Sequence, residues 1–272
     1  MVEDILKRAV DALSALDFVE GVVLGGSRAR GAHKPDSDID IGVYYDGEKL
    51  DIAALNRAAA DLDDEGRADL VGPPMSWGPW VNCGGWLTME NMHVDLILRD
   101  LKRVKNVIEQ TGRGEVSFHY QTGHPHACAN VMYRGEMAVC RVLYAKCQKL
   151  YALQNEARAY PDIMRENLLN HCLFEAGFSL SIARSTLPRQ DLCYTAGHLF
   201  RAAACMNQAL FALNRTYCLN EKGAAGMIEK MPLHPKDYAS RLNALFAGLS
   251  RAEQCLDAAG ALLDEIRALR EG

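Results

Sequence analysis

Apolar positions along this chain change period partway through. Between residues 3 and 16, Ile5, Leu6, Ala9, Leu13 and Leu16 recur on one helical face, which predicts an amphipathic helix. Val22-Val23-Leu24 is a short unbroken apolar run and reads as the end of a buried strand over 20–24. A strand over 38–45 follows, with Ile39 and Ile41 pointing one way and the residues between them the other. The pattern then predicts a helix over 51–62, strands over 67–71, 84–89 and 92–98, and a helix over 100–110.

Beyond a loop rich in glycine and histidine the period becomes helical to the end. Met137, Cys140, Leu143, Tyr144, Cys147, Leu150 and Tyr151 fit one helical face, and Leu168, Cys172, Ala176 and Leu180 repeat every fourth position. Pro161 suits the first turn of a helix, Leu187-Pro188 interrupts, and a further helix fits 190–213. Ser250 and Glu253 have the spacing of a capping box for a last helix. The expected fold is therefore α/β of the α+β kind. A small mixed sheet with helices occupies residues 1–120, and an α-helical bundle occupies 121–272. No internal repeat or low-complexity segment is present.

The chemistry concentrates in Val22–Tyr45, VVLGGSRARGAHKPDSDIDIGVYY. Gly25-Gly26 after the first strand permits a tight turn, and Ser27 is placed to cap a short helix whose free N–H groups favour an anion. Arg28 and Arg30 add positive charge. On the second strand Asp38 and Asp40 share a face, where they repel unless a cation sits between them. A hard divalent ion that also takes phosphate oxygens satisfies both halves of the segment.

GGSRARG followed by SDIDIGV resembles the nucleotidyltransferase superfamily that includes DNA polymerase β and the aminoglycoside nucleotidyltransferases. The resemblance covers residues 18–100 and weakens beyond them. It implies a third carboxylate on a later strand, and Asp95 in His93-Val94-Asp95-Leu96-Ile97-Leu98 stands where one is needed. By the same resemblance Asp38, Asp40 and Asp95 are the catalytic and metal-ligating residues, holding two Mg²⁺ ions. Asp95 also accepts the proton of the attacking hydroxyl. Gly25, Gly26, Ser27 and Arg30 bind the donor, ATP or another nucleoside triphosphate. Relatives carry a helical domain across a cleft from the sheet, from which a basic residue often touches phosphate. Lys146, Lys149 and Lys222 are candidates, each balanced against service as an ordinary surface lysine. Arg99 is open between a phosphate contact and a salt bridge.

Composition narrows the class. With 49% hydrophobic and 24% charged residues, the 272-residue chain is a folded protein rather than a disordered one. Its formal net charge of -5 argues against affinity for nucleic acid built on counterion release. Nine cysteines without a CxxC pair and no signal segment indicate a reduced, cytoplasmic protein, and no run is apolar enough to span a bilayer.

Three further features stand out. All three tryptophans fall within Trp77–Trp86, where they suit either stacking of a base or sugar or a hydrophobic plug. His124, His126 and Cys128 are of metal-ligand type but lack the second pair that structural zinc requires. Asp61, Asp63, Asp64 and Glu65 read as a solvated helix end. The leading functional expectation is transfer of AMP from ATP to a hydroxyl of a small-molecule acceptor, such as an aminoglycoside-like antibiotic, with pyrophosphate released. The alternatives are transfer to a protein or tRNA, and a nucleotide-binding protein without catalysis. The sequence leaves the oligomeric state open.

Overall fold

The computed structural model describes residues 1–31 and 33–271. The chain forms two compact units. Met1–Thr111, Ser117–Gly123 and Cys128–Ala159 make the first, and Gly112–Val116, His124–Ala127 and Tyr160–Gly272 the second.

In the first unit the chain runs through α1 (Val2–Ser14), β1 (Val19–Leu24), α2 (Gly26–Ala29), β2 (Ile39–Tyr45), α3 (Ile52–Leu62), β3 (Cys83–Met89), β4 (Met92–Asp100) and α4 (Leu101–Gly112). The short pair β5 (Phe118–His119) and β6 (Cys128–Ala129) follows, then α5 (Val131–Val139), β7 (Arg141–Ala145) and α6 (Lys149–Arg158). Five strands form a mixed sheet in the order β3-β4-β2-β1-β7, in which only β2 and β4 run parallel. A parallel neighbour needs a crossover, and α3 with the segment leading to β3 supplies it.

Both faces of the sheet are covered. Ile39, Ile41 and Val43 of β2 point into a core with Ile5 and Leu13 of α1, Leu55 of α3 and Leu96 of β4. Ile39 and Ile41 are fully buried, so each contributes roughly 1.5–3 kcal/mol of apolar transfer. On the opposite face Val23 and Tyr44 pack with Val104 and Ile108 of α4, Tyr133 and Met137 of α5, and Leu150 of α6. Alternation puts Asp40 on this second face with Tyr44.

Two expected elements differ. The helical spacing read from Met137 to Tyr151 is divided in the structure between α5, β7 and α6. β7 completes the sheet beside β1, and Leu143 packs against the core beneath. The strand expected over 67–71 reduces to one bridge, Val71 to Gly85. Asp69 has a φ of 55° there, which breaks an extended backbone.

The second unit is helical: α7 (Asp162–Thr186), α8 (Leu192–Leu213), α9 (Ala224–Ile228), α10 (Tyr238–Ala247) and α11 (Ala252–Glu271). α7, α8 and α11 pack on one another, burying Cys172, Ala176, Met206, Leu210 and Leu256. The turn at Leu187-Pro188 is a short 3-10 helix ended by Gln190 in the left-handed region. Ser250 lies within a 3-10 turn, Leu249–Arg251, that precedes α11, so it does not cap that helix. Among the described residues no helix is long and apolar enough to cross a membrane.

Candidate active site

β1, paired on both sides, delivers the chain to Gly25 at one end of the sheet. The Gly25 N–H donates to Asp40 O at 2.8 Å. Gly26 has a φ of 59°, and a Cβ on it would stand 1.7 Å from Asp40 Oδ2. The glycine is required on both counts: by its left-handed backbone and because the carboxylate lies where a side chain would be. Gly25 occupies the cap position of α2, and Ser27 sits inside that turn rather than capping it, since the left-handed Gly26 starts the helix early.

The two arginines of the segment part company. Arg28 donates from Nε to Ser37 O at 3.2 Å and Asp38 O at 3.0 Å, and from Nη2 to Ser37 O at 2.5 Å. Its guanidinium therefore anchors the loop that leads Asp38 into β2. Arg30 donates from Nε to Gly26 O at 3.3 Å and is the cation that opposes proton uptake by Asp40.

The acids come together through strand register. Asp40 of β2 is the direct partner of Asp95 on β4, and Asp95 in turn is paired with Trp86 on β3. Gly25, Asp40, Asp95 and Trp86 thus form one row across the sheet. Burial first, then the charges of Asp95 and Asp38, push the Asp40 carboxyl up to about 6. Asp95 is raised by burial and then by Asp38, with His93 opposing. Asp40 thus feels both other acids and Asp95 feels Asp38, as expected of carboxylates crowded on one sheet end. Among the described residues, no three His, Cys, Asp or Glu side chains are gathered closely enough to hold a metal ion by themselves. The acids do not make a closed cage.

Arg99 resolves to a structural role. It is 5% exposed and forms a two-pronged ion pair with Glu136 of α5, Nε to Oε2 and Nη2 to Oε1, both at 2.8 Å. Burial by itself would lower its pKa, and the Glu136 carboxylate reverses that to a net rise. A third bond runs from Nη1 to Val81 O at 2.5 Å, so the same guanidinium grips the tryptophan loop.

The tryptophans split. Trp80 stacks on His119 at 4.2 Å between ring centres, meets Tyr133 edge-on at 5.7 Å, and lies under the Arg103 guanidinium at 4.8 Å. It is half-buried and packed. Trp77 and Trp86 stack on each other at 4.8 Å with planes 22° apart. Gln121 holds the loop: its Oε1 accepts from the N–H of Trp80 at 2.9 Å, and its Nε2 donates to Trp77 O at 2.5 Å.

Several polar residues have roles that sequence patterning misreads or misses. Asp63 belongs to no solvated helix end: it is buried, accepts from Arg67 Nη2 at 2.6 Å and from the Thr88 N–H at 2.9 Å. The Arg67 hydrogen bond holds its carboxyl far below the usual range. Asp64 accepts from the N–H groups of Glu90 and Asn91, both at 2.9 Å, and so ties down the β3–β4 turn. The residue pair Asp63 and Asp64 thereby fixes the register that sets Trp86 beside Asp95. Glu136 and Gln121 left no signal in the sequence, because their partners are 37 and about 40 positions away.

Lys146 pairs with Asp17 at 3.2 Å and Glu20 at 3.8 Å and donates to Asp17 O, so its charge is committed within the first unit. Lys149 lines a half-open cavity of about 770 Å³ with Asp46, Lys49, Asp100, Lys102 and Lys105, at the end of β2 and β4 away from the acids. The Lys222 N–H donates to Asn220 Oδ1 at 2.8 Å. In the histidine loop, His126 Nε2 lies 3.6 Å from Cys205 Sγ, and its N–H donates to Glu221 at 3.1 Å. Cys128 Sγ turns to Met132 Sδ at 3.6 Å.

With this geometry in place, one stretch of the chain can be matched to a known family. Residues 4–111 match the family described as the nucleotidyltransferase domain. That stretch of the chain therefore has the sequence pattern of a nucleotidyltransferase domain. Among solved structures, a nucleotidyltransferase-like protein from Exiguobacterium sibiricum aligns over 97% of this chain and 75% of its own, at 12% identity and a TM-score of 0.39. That likeness is too loose to assign anything to this chain. No curated protein matches in sequence.

Proposed function

We propose that the protein transfers AMP from ATP to a hydroxyl of a small-molecule acceptor, with divalent metal held by Asp38, Asp40 and Asp95. One observation carries the reading: Asp40 lies against Cβ-less Gly26 and is register partner to Asp95. A phosphate seated at the glycine turn therefore meets the acids directly.

The donor set fits a hard cation. All three candidate ligands are carboxylates, and the incomplete cluster leaves positions for phosphate oxygens and water, the arrangement that Mg²⁺ favours. When bound, the metal supplies positive charge against the triphosphate and the departing pyrophosphate. Gly26 and Ser27 offer backbone and hydroxyl donors to phosphate, Gly25 lets the backbone approach it closely, and Arg30 adds a cation at that side. In-line attack forms a bond from the acceptor oxygen to the α-phosphorus. The α–β bridging oxygen leaves with its electron pair on pyrophosphate, and the hydroxyl proton passes to the Asp95 carboxylate. Its raised affinity for a proton suits Asp95 to that role.

A cationic acceptor fits the acidic row and the formal net charge of -5. The test is an acceptor panel with labelled nucleoside triphosphates and Mg²⁺, reading pyrophosphate release and labelled product. Asp38→Asn and Asp40→Asn are each expected to reduce turnover by at least ~10³-fold, a loss typical of removing transition-state charge stabilisation, with circular dichroism unchanged. Retention of most of the rate by either variant refutes the ligand assignment.

A further inference from the structure

We propose that Cys172 and Cys205 are a reversible thiol–disulfide pair in the helical unit, with His126 as the base that readies Cys205 for attack on a small peroxide. All three residues belong to the second unit, and no step uses the carboxylates of the first.

Topology brings the sulfurs together. α7 and α8 fold back on each other at the Leu187-Pro188 turn, and their thiols at Cys172 and Cys205 are buried and hydrogen-bonded to one another. One turn along each helix, Arg201 Nη1 donates to Glu175 Oε1 at 3.0 Å, which fixes the same alignment nearer the surface. Ala176 on α7, with Ala202 and Ala209 on α8, stands within a turn of the pair and is likewise buried. Side chains this small let two helix backbones approach, which the short Cα–Cα span of a disulfide demands, about 5.5–6 Å.

The two thiols are not equivalent. His126 Nε2 lies 3.6 Å from Cys205 Sγ, and the backbone N–H of His126 is held by the Glu221 carboxylate at 3.1 Å. The Cys172 hydrogen bond lowers the pKa of Cys205, burial opposes it, and His126 adds to the lowering. Cys172 moves the other way, raised by the same hydrogen bond and then by burial. The ordinary fate of a buried thiol is seen at Cys83 and Cys140, which burial pushes up to about 11. Cys205 is therefore the nucleophile of the pair, and Cys172 the thiol that resolves it.

Access selects the oxidant. Cys205 is buried but touches His126, which is only half-buried, so its sulfur lies one side chain from solvent. A peroxide is small enough for that route, whereas a peptide disulfide such as oxidised glutathione is not. His126 takes the Cys205 proton and the thiolate attacks one peroxide oxygen. The O–O bond breaks, and the departing oxygen takes that proton from His126 and leaves as water. The Cys172 sulfur then attacks the sulfenic acid, forming the S–S bond as the S–O bond breaks, and its proton leaves with the hydroxyl as a second water. Two electrons pass from the thiol pair to the peroxide.

The experiment treats the reduced wild-type chain with hydrogen peroxide, removes the excess with catalase, alkylates the remaining thiols and maps disulfides by mass spectrometry of the unreduced digest. A Cys172–Cys205 cross-link should form, and dithiothreitol should reverse it. Oxidised glutathione should modify the exposed Cys147 and Cys193 and leave the pair untouched. Cys172→Ser should strand Cys205 as a sulfenic acid that dimedone traps, and His126→Asn should slow cross-linking at least about tenfold with circular dichroism unchanged. The wild-type map decides the pair whether or not either variant folds. The proposal is overturned if peroxide consumes Cys147 and Cys193 while Cys172 and Cys205 stay alkylatable, if Cys205 pairs with Cys218 instead, or if oxidised glutathione cross-links the pair as fast as peroxide does. An unchanged rate in His126→Asn overturns the role of the imidazole.

Discussion

At the scale of single residues the site is a compromise between stability and charge. The Asp40 carboxyl is pushed to about 6 by burial and by Asp95 and Asp38, above its ordinary 3.8. A carboxylate raised in the folded state binds protons more tightly folded than unfolded, so it costs stability once the pH exceeds its folded value, and that cost vanishes below the unfolded value. Allowing for partial solvent access, the cost at neutral pH is on the order of 2 kcal/mol. Asp40→Asn should therefore melt several degrees higher than the wild type at pH 7.5 in EDTA, and the gain should shrink from pH 6 downward and disappear near pH 4. Thermal scans across that range check it, and equal midpoints at pH 7.5 would contradict the crowding of the acids. Under the proposed function activity should move the opposite way, as is common where charge is concentrated for function. These acids were legible in sequence because strand alternation and a glycine pair are local signals. Gly26 against Asp40 was not, since a close approach of 1.7 Å to a missing Cβ belongs to a helix start and a strand at once.

Among the elements, the mixed sheet with a helical region after it follows from the change of period. The join between them does not. Leu143 and Tyr144 keep helical spacing with their neighbours, yet Arg141–Ala145 is a strand because β1 offers it an unpaired edge. Tertiary pairing overrides a five-residue pattern more easily than a long one. The helix that precedes it, α5, is fastened to β4 by the pair Arg99 and Glu136, and Arg99 also donates to Val81 O of the tryptophan loop. Removing one partner leaves the other buried and unpaired. Glu136→Ala should lower stability by about 3–5 kcal/mol in urea titration, while the double change Arg99→Met with Glu136→Leu should recover most of it. Such a recovery with donor affinity retained would confirm that Arg99 positions elements and does not touch phosphate. A double variant as unstable as the single one would show that the pair contributes more than it costs to bury.

The whole molecule's charge bears on the acceptor, because a macromolecular polyanion needs free cations and this chain commits many of its own. Thirty lysines and arginines face 35 acids. In the first unit Arg28 is bonded to a loop, Arg67 to Asp63, Arg99 to Glu136 and Lys146 to Asp17, while Arg134 donates to the carbonyls of Ile108, Glu156 and Ala159. Cations held in this way cannot release counterions from a phosphate backbone without losing an internal bond. The row around Asp38, Asp40 and Asp95 adds carboxylates rather than cations to that surface. Association with bulk tRNA should accordingly be weaker than about 10⁻⁵ M at ionic strength near 0.15 M, within the range of non-specific contact, and should change little in the presence of Mg²⁺-ATP. Filter binding over a salt series measures it. A sub-micromolar complex with a steep salt dependence would show a basic path that the folded chain keeps available, and would favour RNA over the small-molecule acceptor proposed above.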